Sequence, residues 1–224
     1  MDLISAREAV VTWMLARRAQ SDLYFCGHPE ALKALGWVGL DWEASVSVSS
    51  SEVRDRFEEL FQGSDGWYLG DLRVMDRSGH VGAAASWILL ASRYGVGTIL
   101  RDRGRDRSAE RELAARMGVK PAEVTWLAPL EGAQGTLEQQ SARGILSEGV
   151  LSYLAESAWR PPGDKVGLSR AELLRTFDPA GLRTEPVRFD PEELERRHLE
   201  FLRELTPSEL LERSLGFWPG WLLP

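Results

Sequence analysis

Gly79–Gly132, GHVGAAASWILLASRYGVGTILRDRGRDRSAERELAARMGVKPAEVTWLAPLEG, is the stretch whose reading decides how the rest of the chain is understood. Small residues from Gly82 to Ala85 lead into apolar Leu89-Leu90-Ala91, and Gly95 stops the run, which predicts a helix over 80–94. Val96–Arg101 has strand character. Arg101–Arg107 alternates charge around a glycine and reads as a solvated loop. Ser108 then caps a helix to Met117 that ends at Gly118, and β-branched and aromatic Val124-Thr125-Trp126-Leu127, closed by Pro129, reads as a strand.

Upstream, Ser5 and Glu8 have capping-box spacing, and Val10, Trp13, Met14 and Arg17 share one helical side, so a first helix is expected from Ser5 to about Arg18. Leu23–Cys26 reads as a short strand, and Pro29 opens a brief helix that stops at Gly36. Glu43–Ser49 alternates as a half-buried strand does, Ser49 and Glu52 cap a helix to Gly63, and Trp67–Met75 is a strand interrupted at Gly70. Downstream, Thr136 and Gln139 cap what reads as the longest helix, to about Trp159. Pro161-Pro162-Gly163 breaks the chain. Beyond it lie three helix starts: Ser169 with Glu172, Asp190 with Pro191, and Thr206 with Glu209. Phe-Asp-Pro occurs at Phe177 and again at Phe189, and the tail Phe217–Trp221 is apolar.

Of 224 residues, 43% are hydrophobic and 27% charged, enough for a sizeable core in one domain with a small second unit. The net charge of −7 argues against a chain-wide electrostatic grip on nucleic acid or membrane and leaves room for a local patch. The longest apolar run, Val81–Ala91, is far short of the roughly 20 residues of a membrane span and contains Ser86. A single cysteine, Cys26, and the lack of a secretory start predict a cytoplasmic protein. The expected fold class is α+β, a mixed sheet packed by helices with a helical C-terminal extension. Residues 1–160 form the core domain and 161–224 the extension.

The central stretch resembles the nitroreductase family, in particular its azoline-oxidizing branch. The shared features are the Gly-His-x-small-small helix from Gly79, the Gly95-Val96-Gly97-Thr98 turn, the helix closing at Gly118-Val119, and the strand ending Leu127-Ala128-Pro129-Leu130. The resemblance covers about a quarter of the chain. It implies a homodimer and FMN-dependent hydride or electron transfer, with the flavin supplying the chemistry. Ala16-Arg17-Arg18-Ala19-Gln20-Ser21 stands where that family holds the FMN phosphate with arginines, whose forked donors suit phosphate. The cofactor-binding residues it implies are Arg17, Arg18, His80, Gly95, Gly97 and Thr98. The sequence departs from the family in replacing the motif's serine and third arginine by Ala19 and Ser21.

Residues 108–127 also resemble a helix-turn-helix, with small Ala114, Gly118 at the turn, and apolar Val124 and Leu127 in the second helix. Arg111, Arg116, Lys120 and Thr125 would then face DNA. Asp102, Asp106, Glu110 and Glu112 offset the local positive charge, and Pro129 would cut the recognition helix short. A third reading is a binding or scaffold protein without chemistry. Three histidines and one cysteine offer no zinc set, and Cys26-Gly27-His28 reads best as a buried thiol beside a turn. Secondary structure separates the first two readings, because residues 123–129 are a strand under one and a helix under the other.

Overall fold

The structure is a computed structural model. It describes residues 1–20, 24–26, 29–41, 44–46, 51, 55, 66–69, 72–76, 88, 99–101, 108–119 and 124–217. In chain order the elements are α1 (Leu3–Arg18), β1 (Tyr24–Cys26), α2 (Pro29–Trp37), β2 (Ala44–Val46), β3 (Gly66–Leu69), β4 (Leu72–Asp76), β5 (Ile99–Arg101), α3 (Ser108–Arg116) and β6 (Val124–Trp126). There follow β7 (Leu130–Glu131), α4 (Leu137–Ala142), α5 (Ser147–Ala158), α6 (Arg170–Thr176), β8 (Val187–Arg188), α7 (Pro191–Glu204) and α8 (Pro207–Ser214). The fold is α+β, with short paired strands among helices and a helical C-terminal stretch. Its contacts divide the chain into two units, Met1–Ser45 with Leu127–Pro224, and Val46–Trp126.

The first unit is built around α5. Every residue from Gly149 to Ala158 is buried, as expected of a helix with neighbours on all sides. Its polar members are satisfied. Ser152 donates to Glu156 (Oγ to Oε1, 2.7 Å), and Ser157 Oγ donates to the Leu154 carbonyl at 2.8 Å. Gly149 is where α7 crosses most closely: a Cβ there would lie 3.0 Å from both N and Cα of His198. α7 presents a stripe of Leu194, Arg197 and Phe201 at helical spacing. α1 packs on α5, and its Ala6, Val10, Trp13 and Met14 are fully buried. Buried Arg7 ties the two helices: its Nε donates to Ser157 Oγ at 3.0 Å, one Nη to the Ser157 carbonyl at 2.8 Å, and the other to the Ala128 carbonyl.

In the second unit, β3 and β4 form an antiparallel hairpin with an irregularity between Trp67 and Tyr68. β5 pairs in parallel with β6, Ile99 opposite Val124 and Arg101 opposite Trp126. Parallel neighbours need a crossover, and α3 lies between them in sequence. This corrects the helix-turn-helix reading of 108–127. Gly118 does end α3, with φ +64°, but Val124–Trp126, which would lie in the recognition helix, are a paired strand. Thr125 therefore belongs to β6. Arg116 is engaged by Glu112 one turn earlier (Nε to Oε1, 3.1 Å), Arg111 is exposed on α3, and Lys120 lies outside the described residues.

Two expected boundaries also move. α1 starts at Leu3 because Asp2 is its cap: Asp2 accepts from the backbone N–H and the hydroxyl of Ser5, both at 2.9 Å. The helix expected from Thr136 to Trp159 is two helices. Gly144, at φ +78°, turns the chain after α4, and the Leu146 N–H goes to His198 Nδ1 at 3.0 Å. The Thr136, Ser169 and Thr206 capping boxes are all formed, and Asp190 caps α7. His28, Ser49 and the segments 81–87 and 89–98 lie outside the described residues.

Candidate functional site

At the C-terminal end of α1 three donors converge on one carboxylate. Trp13 sits one turn before Arg17 on the buried side of α1, Asp41 follows α2, and Arg170 opens α6. Arg17 Nη2 donates to Asp41 Oδ2 at 2.7 Å and to the Asp41 carbonyl at 3.1 Å. Arg170 Nη2 donates to Oδ1 at 2.6 Å, and Trp13 Nε1 donates to the same oxygen at 2.7 Å. The Arg170 guanidinium lies over the Trp13 ring, 5.2 Å from its centroid. Arg18, the last residue of α1, is exposed.

The electrostatics follow from the geometry. Burial pushes the Asp41 carboxyl upward, but the Trp13 N–H, its own backbone and the guanidiniums of Arg17 and Arg170 outweigh it and hold the group below the usual aspartate range. The side chains stay accessible: Arg17 is 30% exposed, Arg170 46% and Asp41 55%. Ion pairs this exposed are worth about 0–1 kcal/mol. Two guanidiniums from separate helices thus meet on one carboxylate.

Two other polar clusters serve packing. Arg7 has the three bonds described above and holds α1 to α5. Glu156, on α5, accepts from Ser152, from the Leu168 N–H at 3.2 Å and from Arg197 Nε at 3.0 Å. Arg197 in turn reaches Glu193 and Glu200 on its own helix. Among the described residues no group of three or more His, Cys, Asp or Glu is placed to hold a metal ion. Nor is any described helix long and apolar enough to cross a membrane.

Of the residues singled out from sequence, Arg17 falls at this corner and Arg18 is exposed at the end of α1, while His80, Gly95, Gly97 and Thr98 lie outside the described residues. The sequence reading missed Asp41 and Arg170 as its partners. Their separation in sequence, 129 residues between Asp41 and Arg170, left no periodic or motif signal that joins them.

In sequence the chain is similar to the glutamate–tRNA ligase of Clostridium acetobutylicum, 32% identical over 78 residues, which are 35% of this chain and 16% of the relative. It is similar also to that of Corynebacterium diphtheriae, 35% identical over 84 residues, 38% of this chain and 17% of the relative. The matched segment is thus about a sixth of the length of these curated relatives. In fold it is similar to the glutamate–tRNA synthetase of Elizabethkingia anophelis, with a TM-score of 0.72 and 13% identity over 95% of this chain and 70% of that one. A glutamate–tRNA ligase from Elizabethkingia meningosepticum, solved in complex with its amino acid, gives 0.70 and 13% over 92% and 68%. No family model matches the chain.

These comparisons overturn the nitroreductase resemblance. The relatives found by sequence and by fold carry the name of a tRNA ligase and not of a flavoprotein. FMN as cofactor and flavin oxidoreduction fall with it, and the homodimer loses the resemblance it rested on. Arg17, assigned there to an FMN phosphate, instead directs Nη2 at Asp41. DNA regulation is overturned by the pairing of β6 and by the same relatives.

Proposed function

We propose that this chain acts on tRNA in the manner of the glutamate–tRNA ligases, joining glutamate to a tRNA. The observation that carries this reading is agreement between two separate measures. A sequence match at 32% identity over 78 residues and a fold match over 95% of the chain lead to proteins of the same name. The accessible guanidiniums of Arg17 and Arg170 fit it, since guanidiniums offer forked donors to phosphate.

The test is a glutamylation assay. Condensing a carboxylate with a hydroxyl is uphill in water, so the purified chain is incubated with labelled glutamate, bulk tRNA and ATP. Label is then counted in acid-precipitated tRNA. Label that depends on tRNA and ATP is the expected result. Absence of label, with tRNA retained by the protein in a filter assay, confines the reading to tRNA binding. Absence of both refutes it.

A further inference from the structure

We draw no further inference here: the strongest candidate, the exposed apolar face of α8 and the short helical turn after it, where Leu210, Leu211 and Phe217 are 45%, 50% and 62% exposed, carries nothing because nothing in the structure shows what covers it.

Discussion

Replacing Arg197 by methionine tests whether α7 is locked to α5 through charge. Arg197 is 5% exposed and Glu156 8%. The Glu156 carboxylate accepts three hydrogen bonds: from Ser152 Oγ at 2.7 Å, the Leu168 N–H at 3.2 Å and Arg197 Nε at 3.0 Å. Methionine fills much of the volume but leaves a buried carboxylate with two neutral donors and no counter-charge. Breaking a buried pair in this way costs about 3–5 kcal/mol. Glu193 and Glu200 also lose Arg197, but their side chains are 22% and 36% exposed and rehydrate, so they add little. At about 2–4 °C per kcal/mol for a chain of this length, the melting temperature falls by roughly 6–20 °C. The double variant E156M/R197M removes both charges. It leaves only the Leu168 N–H and the Ser152 hydroxyl without their acceptor, so it is expected to recover most of the loss. A thermal melt followed by helical circular dichroism, run on both singles and the double, gives the coupling energy directly, at about 2 kcal/mol or more. Additive singles, or R197M within about 1 kcal/mol of wild type, would mean that water screens the pair and that α7 is held by Leu194 and Phe201 alone.

Three further outcomes follow from local geometry. Burial lowers the His198 imidazole below its ordinary value against the pull of Glu195, and its Nδ1 accepts the Leu146 N–H. The contribution to stability is therefore full above about pH 6.5 and lost as pH falls through that value toward the lowered one. H198A should flatten this stretch of a stability–pH curve, and an unchanged curve would show that the imidazole is not the titrating group. Gly181→Ala places a Cβ 2.6 Å from Trp159 Nε1 and 3.1 Å from the Arg160 carbonyl. It should destabilise by about 1–3 kcal/mol, measured as a drop in the urea midpoint. Ser169→Ala removes the cap that accepts the Glu172 N–H at 3.3 Å and donates to its carboxylate at 2.7 Å, which is expected to cost about 1 kcal/mol in the same urea titration.

What the chain discloses by itself is local. Ser169 with Glu172, Thr206 with Glu209 and Asp190 with Pro191 announce helix starts because cap and partner lie within three residues. Val124-Thr125-Trp126 is a strand as its β-branched and aromatic character indicates. The flavin resemblance failed for a physical reason. Its marks within 99–127 are a strand, a helix closed by glycine and a second strand, which is the grammar of any parallel pair with a helical crossover, and a fold element does not name a chemistry. The helix-turn-helix failed because a few apolar residues after a glycine fit either period. The corner was half visible. Arg17 could be picked out from its type and place, but Asp41 and Arg170 join it only through tertiary packing. Likewise nothing near Arg7 in sequence points to Ser157, 150 residues away.

The two Phe-Asp-Pro tripeptides show how local signals become long-range order. Each phenylalanine meets an aromatic of α5 or its C-terminal cap edge to face: Phe189 on Tyr153 at 5.6 Å, Phe177 on Trp159 at 5.5 Å. Each aspartate then caps the next helical turn, Asp178 on the Ala180 N–H and Asp190 on Glu192 and Glu193, and each proline takes the first helical position. Tyr153 and Trp159 are six positions apart, about 9 Å along the helix axis. The end of α6 and the start of α7 are therefore staked to one rigid element at a fixed spacing. The positions of Arg170 on α6 and Arg197 on α7 follow from those stakes. The exposed pair of Arg170 with Asp41 is set in place by the same buried helix that holds the interior ion pair.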